Sequence, residues 1–249
     1  MKRKKIISVN INAIKYADAL KEILALGSKH VQSYICFVNT HMVIEAHKSV
    51  VFKDVVNNST FSFSDGMPLV YFMKKKYKII QDRIAGIDFM LDAICECEKE
   101  KLSVFFLGSS ENVLSKLKNT LLKKFPQLHI AGMISPPYAQ SQQYDNEKYI
   151  RQINESCANL VFVSLGCPKQ EYWMAENYKS INAPLLGVGA AFEVQAGIKK
   201  RAPRWMQHSG LEWFFRFLQE PDRLWKRYLK TNTIFIYLFM ISLFSKDNG

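Results

Sequence analysis

The fold is decided at residues 104–126, which read VFFLGSSENVLSKLKNTLLKKFP. The first four residues are apolar and end at Gly108, which is typical of a buried strand that stops at a turn. The residues from Ser109 to Asn112 then offer side chains that can cap a helix, and apolar residues recur at helical spacing until Pro126. This stretch therefore predicts a strand that leads directly into a helix.

The same order of apolar run, small or polar residue and helix-like segment recurs along the chain. It predicts an α/β fold with a Rossmann-like, mostly parallel sheet flanked by helices. Ligands of such sheets lie beyond the carboxyl ends of the strands, where helix N-termini favour phosphate, so we expect a nucleotide site there. The other runs are Tyr34 to Val38 before Asn39, Leu160 to Leu165 before Gly166, and Leu185 to Val188 before Gly189.

The composition is that of a globular protein with anionic partners. The chain has 249 residues, 48% of them hydrophobic, which is enough to bury a sizeable core. A formal net charge of +12 favours nucleic acid, sugar nucleotides or acidic lipid head groups, and charge alone does not choose among them. The five cysteines are odd in number and lack a C-x-x-C spacing, so we expect neither a disulfide framework nor a zinc site, and a reducing cytoplasm is the simplest location.

Neither end of the chain predicts a segment that is exported or that spans a membrane. The basic residues 1–5 are followed by an apolar run, Ile6 to Ile14, that polar residues interrupt, so no signal peptide is expected. The apolar run from Ile234 to Phe244 is about half as long as the roughly 20 residues that a spanning helix needs. It can lie on a membrane without crossing it.

The composition changes near residue 198, which divides the chain into a predicted α/β domain, 1–198, and a helical basic appendage, 199–249. On a helical wheel of the appendage Arg223, Arg227 and Lys230 share one face, which suits an element at an anionic membrane surface. The alternatives are a helix that packs on the first domain and an oligomer contact. The aromatic residues available for such a contact are Trp213, Phe214 and Phe217.

Three motifs place polar side chains at predicted strand ends. Asp65 stands before a glycine, although Asp-Gly is also a common turn. Lys169 and Gln170 follow a proline at a helix start that can bind an anion, the alternative being a capped surface helix. Glu193 follows the glycine-bearing residues 187–192 and can accept hydrogen bonds from a ribose, although small residues there equally serve packing.

Six short blocks along the chain carry a further signal. They are Asp65-Gly66, Arg83-x-x-Gly86-x-Asp88, Leu165-Gly166-x-Pro168-Lys169-Gln170-Glu171, Gly187-Val188-Gly189, Arg201-Ala202-Pro203 and Gly210-Leu211-Glu212-Trp213. In residue type, order and spacing they resemble the signature blocks of the WecG/TagA/CpsF glycosyltransferases. The resemblance extends from Asn39 to Arg227, and six ordered blocks are hard to obtain by chance.

The resemblance implies an inverting, metal-independent glycosyltransferase with Asp65 as its catalytic base. The donor would be a UDP-sugar carrying an N-acetylmannosamine-like sugar, a hexose or a uronic acid, and the acceptor a polyprenyl-diphosphate-linked sugar in surface polysaccharide or teichoic acid biosynthesis. No cofactor is expected, because the UDP-sugar is a co-substrate and the sequence has no Asp-x-Asp pair to hold a metal. Such an enzyme works peripherally on the inner face of the cytoplasmic membrane, as a monomer or a homo-oligomer, with its appendage on the anionic lipid.

The resemblance also implies which residues meet the substrates. The family pattern Thr-x-Asn after the first long strand reads Phe37-Val38-Asn39 here and is followed by Thr40. Arginines of the appendage are expected to reach over the site. At one of these positions the sequence has Lys226 followed by Arg227, and the planar guanidinium of Arg227 suits a bidentate phosphate contact better than the ammonium of Lys226 does. The expected substrate-binding residues are Asn39, Thr40, Arg83, Lys169, Gln170, Glu193, Arg216, Arg223, Lys226 and Arg227.

Two other functions are compatible with parts of the sequence. A nucleic-acid-binding protein would use the net charge of +12 and the interleaved aromatic and basic residues of the appendage, but no recognition-helix or stacking-sheet motif is present, and we expect no nucleic-acid partner. An NAD-dependent oxidoreductase would fit the strand-glycine-helix order, but the dinucleotide fingerprint is missing.

Overall fold

The computed structural model describes residues 2–137 and 145–244. Within this part, a few side chains of the C-terminal segment fall outside the description, although the backbone there is helical. They are the side chains of His208, Arg223, Lys226, Arg227, Tyr228, Leu243 and Phe244.

The described residues form eight strands, twelve α-helices, which we number in chain order, and one short 3-10 helix, Tyr178–Ser180. The strands are β1 (Arg3–Ile6), β2 (Val9–Asn12), β3 (Ser33–Val38), β4 (Phe61–Ser64), β5 (Ser103–Gly108), β6 (His129–Ile134), β7 (Leu160–Ser164) and β8 (Pro184–Gly187). The helices are α1 (Tyr16–Ser28), α2 (Thr40–Lys48), α3 (Val50–Asn57), α4 (Met67–Tyr77), α5 (Gly86–Lys99), α6 (Glu111–Lys124), α7 (Asn146–Glu155), α8 (Lys169–Asn177), α9 (Ala191–Gln195), α10 (Arg204–His208), α11 (Glu212–Gln219) and α12 (Pro221–Phe244).

Six strands form one parallel sheet in the order β4-β3-β8-β7-β5-β6, and β1 and β2 form a separate antiparallel hairpin. The predicted strands at residues 34–38, 104–107, 160–165 and 185–188 correspond to β3, β5, β7 and β8. Helices α1, α5, α6 and α9 cover one face of the sheet, and α2, α3, α4, α7, α8 and α12 cover the other. The predicted α/β class with a Rossmann-like parallel sheet is confirmed.

Burial on both faces explains why these strands are almost wholly apolar. Every residue of β3 and β5 is buried, and so are the first four residues of β7. On the face that carries α6 and α9, the ring of Phe106 lies 5.6 Å from that of Phe162 and 5.4 Å from that of Phe192. This aromatic contact fixes the centre of the sheet against α9, whose neighbouring loop enters the site.

Gly108 ends β5 at a point where no other residue fits. Its φ is 122°, and a Cβ atom built there would collide with the carbonyl oxygen of Ser164 at the end of β7. Because β5 and β7 are neighbours, the missing side chain lets their carboxyl ends approach each other closely. Ser110 then caps α6 by accepting a hydrogen bond from the amide of Val113 (3.4 Å).

The C-terminal helix α12 packs on the second face of the sheet layer. Leu224, Thr231 and Phe235 are buried, and the ring of Phe239 lies 5.2 Å from that of Phe72 in α4. The helix therefore packs on α2 and α4. Among the described residues, none of the helices combines the length and apolar character that a membrane crossing requires.

Replacing Phe106 by alanine tests the central aromatic contact. The change removes a fully buried ring and leaves a cavity between β5, β7 and α9, so we expect the free energy of unfolding to fall by about 3–5 kcal/mol in urea titrations. The control is Val51→Ala on the exposed side of α3, which is expected to change it by less than about 0.5 kcal/mol. Equal effects of the two changes would contradict the assignment of the core.

Candidate active site

A cavity of about 930 Å³ opens at the carboxyl ends of the parallel strands. The segments that follow all six strands of the sheet contribute to its wall, and the opposite rim comes from the residues after α9, from α11 and from the start of α12. Of the residues predicted from the sequence, six line this cavity. They are Asn39, Asp65, Lys169, Gln170, Glu193 and Arg216.

Asp65 follows the edge strand β4 and continues its ladder. Its amide donates to the carbonyl oxygen of Val38 (2.8 Å), which holds it beside the end of β3. The amide of Ile84 donates to the carbonyl oxygen of Ser64 (2.8 Å), and the Gln81 side chain donates to the Ser64 hydroxyl. Residues 81–84 are thereby tied to β4, so that Arg83 lies behind Asp65.

The carboxyl of Asp65 is half-buried and holds its proton more strongly than an ordinary aspartate. Burial is the largest cause, and the neighbouring Glu212 and Asp88 carboxylates add to it, while the Arg83 and Arg216 cations oppose it. The pKa of Asp65 is raised to about 7. A carboxyl with this pKa can accept a proton from a hydroxyl near neutral pH and keep it.

Arg83 does not line the cavity, because its guanidinium is held by acids and amides of other segments. It lies 2.6 Å from Glu212 of α11 and 3.4 Å from Asp88 of α5, and it donates to the Gln207 side chain at 3.2 Å. Arg201 forms a two-pronged contact with the same Asp88 carboxylate. Two regions that are distant in the sequence, residues 83–88 and 201–212, therefore meet in one charge network close to Asp65.

Gln170 lines the cavity and carries a buried acceptor that the described residues leave unpaired. Its Nε2 donates to Glu171 Oε1 (2.7 Å) and to the carbonyl oxygen of Gly187 (3.1 Å), so its amide orientation is fixed and Oε1 has no hydrogen-bond partner within the described residues. Gly187 allows this approach, since a Cβ there would lie 3.1 Å from Nε2 and 2.6 Å from the Met174 methyl. Burial raises the pKa of Glu171 to about 7.

Asn39 and Thr40 stand at the start of α2. The Asn39 side-chain oxygen accepts hydrogen bonds from the amides of His41 (3.1 Å) and Met42 (3.2 Å), so it caps the helix. Its amide nitrogen is not used by this cap, and the residue lines the cavity. Thr40 is not part of the cavity wall.

The cationic side chains around the cavity differ in how they are neutralised. Lys199 lies 2.7 Å from Glu193 and 2.9 Å from Glu220, so the predicted nucleotide contact Glu193 is bridged through Lys199 to the residue between α11 and α12. Lys200 and Arg216 line the same cavity, and within the described residues neither has an ion pair. They supply the positive charge that an anionic ligand needs.

Several of these residues had no assigned role in the sequence analysis. Lys199 and Lys200 were visible there only as part of the basic appendage, and the charge run directly after Gly197 was the available signal. Glu212, Asp88 and Arg201 belong to the quoted motif blocks, but their pairing with one another follows only from the folded chain. The predicted positions Arg223, Lys226 and Arg227 have side chains outside the described residues.

The raised pKa of Asp65 has a consequence for stability. Because the folded state keeps this proton up to about pH 7, the contribution of Asp65 is present at low pH and is lost as the pH rises towards and through 7. Asp65→Asn removes the ionisation, so the stability of the variant relative to the unmodified protein is expected to rise by about 1–3 kcal/mol between pH 4 and pH 7.5. Urea titrations at both pH values measure it, and a difference independent of pH would contradict the shifted pKa.

Comparison with known proteins agrees with this geometry. The model of the "Glycosyl transferase WecG/TagA/CpsF family" matches residues 4–249. An N-acetylglucosaminyldiphosphoundecaprenol N-acetyl-beta-D-mannosaminyltransferase of Bacillus subtilis (strain 168) is 31% identical over 223 residues, which are 89% of this chain and 84% of that protein. A protein of the same name from Bacillus spizizenii is 31% identical over 199 residues, or 79% of this chain and 75% of that protein. The chain is therefore a glycosyltransferase of the WecG/TagA/CpsF family.

Proposed function

We propose that this glycosyltransferase moves a sugar from a UDP-sugar to a polyprenyl-diphosphate-linked sugar by a single inverting displacement, without a metal ion, in surface polysaccharide or teichoic acid biosynthesis. The observation that carries the proposal is the Asp65 carboxyl, which faces the strand-end cavity with a pKa of about 7. The names of the two relatives support a lipid-diphosphate acceptor and a β-linked product. The sugar is of the N-acetylmannosamine type, a hexose or a uronic acid.

In the proposed reaction, Asp65 acts as the general base. Its carboxylate takes the proton of the acceptor hydroxyl while that oxygen forms a bond to the anomeric carbon of the donor. The bond from the anomeric carbon to the UDP oxygen breaks on the opposite face, and its electron pair leaves with the diphosphate. One base is enough for such a displacement, and the configuration at the anomeric carbon inverts.

The departing diphosphate gains negative charge, so the transition state needs positive charge on that side of the cavity. Arg216 and Lys200 supply it, because they line the cavity without an ion pair within the described residues. Lys199 of the rim is already paired with acids, and so are Arg83 and Arg201, which lie nearby but outside the cavity wall. Lys169, at the first turn of α8, adds a further charge at the end of β7.

The polar residues of the wall orient the donor. The buried Oε1 of Gln170 accepts a hydrogen bond from a hydroxyl or amide N–H of the sugar nucleotide, which satisfies an atom that has no partner in the part of the chain that the structure describes. The amide nitrogen of Asn39, which its helix cap does not use, can donate to the same ligand from the end of β3. Glu193 accepts a hydrogen bond from a ribose hydroxyl of the donor. It can do so because Lys199 divides its ionic contact between Glu193 and Glu220.

Residues 199–249 act as an appendage that associates with the inner face of the cytoplasmic membrane, where the acceptor lipid is. Aromatic side chains of α10 and α11 support this role, because Trp205 and Phe214 are 65% and 40% exposed. The same segment contributes Arg216 to the cavity. An acceptor anchored in the bilayer would therefore reach the diphosphate site along the segment that touches the membrane.

Replacing the proposed base tests the mechanism. Asp65→Asn keeps the shape of the side chain but cannot accept the proton, so we expect kcat to fall by about 10²- to 10⁴-fold, with donor binding retained. UDP release in the presence of a lipid-diphosphate-sugar acceptor measures turnover, and calorimetry with UDP measures binding. The control is Asp54→Asn on the exposed side of α3, which is expected to keep normal turnover. Near-normal turnover of Asp65→Asn would assign the base elsewhere.

Replacing Arg216 tests the source of positive charge. Arg216→Gln should lower kcat on the order of 100-fold, because it removes a cation that faces the leaving group. The control is Arg204→Gln, which removes the same charge from the exposed side of α10, outside the cavity.

Transfer by the unmodified enzyme is expected to be unchanged in EDTA, since side chains rather than a divalent ion neutralise the diphosphate. Loss of activity in EDTA, or equal losses in the two arginine variants, would contradict this assignment.

A further inference from the structure

Glu171, in the first turn of α8, is a buried acidic residue that the proposed reaction does not use. Its side chain is completely buried, and no cation of the described residues forms an ion pair with it. The hydrogen bonds that favour its ionised form come from Gln170, from its own backbone amide and from the Cys167 thiol. Its second oxygen, Oε2, has no hydrogen-bond partner in the part of the chain that the structure describes.

An apolar side chain at this position would be more favourable for stability. Burying a carboxyl without a cation costs free energy, because the contacts that water would give it are only partly replaced. Trp173 and Met174 of the same helix are buried in the core, so the surroundings of Glu171 are largely apolar. A methionine has a similar volume and would avoid the cost. The carboxyl therefore has a role other than holding α8 in place.

The contact of Glu171 with its neighbour identifies this role. Oε1 of Glu171 accepts a hydrogen bond from Nε2 of Gln170 (2.7 Å), and the carbonyl oxygen of Gly187 accepts from the same nitrogen (3.1 Å). If the Gln170 amide turned over, its oxygen would face these two acceptors and both hydrogen bonds would be lost. One orientation of the amide is therefore strongly favoured.

This orientation decides which atom of Gln170 is left for a ligand. Gln170 is 4% exposed and lines the cavity, and its Oε1 has no hydrogen-bond partner within the described residues. A Cβ atom built on Gly189, another residue of the cavity wall, would lie 3.9 Å from this oxygen, so the glycine leaves space beside it. A ligand group in that space has to donate a hydrogen bond, because a group that only accepts would face another acceptor.

We propose that Glu171 is a positioning residue, which holds the Gln170 amide so that its oxygen receives a hydroxyl or amide N–H of the sugar nucleotide. This rests on the proposed function and adds to it a residue that acts through Gln170. The oxygens of the diphosphate only accept hydrogen bonds, so they are excluded from this place and are left to the cations of the rim. A donor with a hydroxyl or N–H group at this point is selected over an analogue without one.

Replacing Glu171 by methionine separates positioning from packing. The change keeps the volume of the side chain but removes the acceptor, so Gln170 loses one of the two contacts that fix its amide. We expect the dissociation constant for UDP-N-acetylmannosamine, measured by calorimetry, to rise on the order of tenfold. The midpoint of thermal unfolding should stay the same or rise, because a buried carboxyl without a cation is removed. Lower stability with unchanged binding would overturn the proposal.

Two further variants control for the chemistry of the change. Glu171→Gln retains an oxygen that can accept from Gln170, so it should recover most of the affinity that Glu171→Met loses. Glu176→Met makes the same replacement on the exposed side of α8, and it should bind the sugar nucleotide as the unmodified protein does. Equal losses in the two Glu171 variants, or a loss of the same size in Glu176→Met, would contradict the positioning role.

A double-mutant cycle shows whether Glu171 acts through Gln170. Gln170→Met removes the amide itself, so it should weaken binding by at least as much as Glu171→Met does. In the Gln170→Met background, adding Glu171→Met should change the dissociation constant by less than about twofold, because the amide that Glu171 holds is gone. Additive losses would overturn the proposal, since Glu171 would then affect binding independently of Gln170.

Hydrogen exchange of the Gln170 side chain tests the geometry without any ligand. Its amide nitrogen is buried and donates to two acceptors, so its protons should exchange slowly in nuclear magnetic resonance spectra of protein labelled with ¹⁵N-glutamine. The signal that is missing from Gln170→Met identifies this amide. Exchange in Glu171→Met should be at least about tenfold faster. Equally slow exchange in that variant would show that Glu171 does not hold the amide.

These measurements also separate the inference from the proposed function, because binding and exchange are measured without an acceptor. Variants that follow the predicted order in a protein that transfers no sugar to a lipid-diphosphate acceptor would refute the proposed function and leave the positioning role standing. Normal binding of UDP-N-acetylmannosamine by Glu171→Met, in a protein whose unmodified form transfers the sugar, would refute the positioning role alone.

Discussion

The Asp65 carboxyl is set between two acids and two arginines at the edge of a parallel sheet, and this balance of charge and burial is the feature on which the site depends. Burial and the carboxylates of Glu212 and Asp88 favour the protonated form, whereas Arg83 and Arg216 favour the ionised form. The two sets of effects partly cancel, so the Asp65 carboxyl titrates near neutral pH. A more exposed aspartate would be too weak a base, and one without the arginines would stay protonated.

The fold supplies each part of this balance from a different segment. The end of β4 provides the carboxyl, and residues 81–88 provide Arg83 and Asp88. The C-terminal segment provides Glu212 and Arg216 from α11. Because α12 packs on α2 and α4, it ties α11 to the α/β layer. The segment predicted as an appendage is therefore also part of the wall around the proposed base.

The sheet was predictable from the sequence because strands buried on both faces leave uninterrupted apolar runs that end in small residues. The local motifs also predicted that Asn39, Asp65 and Gln170 lie at the same edge of the sheet, because the carboxyl ends of parallel strands meet there. The contact of Arg83 with Glu212 was not predictable, because it joins residues 129 positions apart. The bridge from Glu193 through Lys199 to Glu220 was not predictable for the same reason. Nor was the exposure of one face of α12, because it depends on how the other face packs on α2 and α4.

The central claim is that Asp65 acts as the base with a pKa near 7. The most direct measurement is the pH dependence of kcat/KM for sugar transfer, which reports ionisations of the free enzyme. The account predicts that kcat/KM falls about tenfold for each pH unit below 7, with an inflection near the pKa of Asp65. A value that stays constant from pH 7.5 down to pH 5 would contradict it.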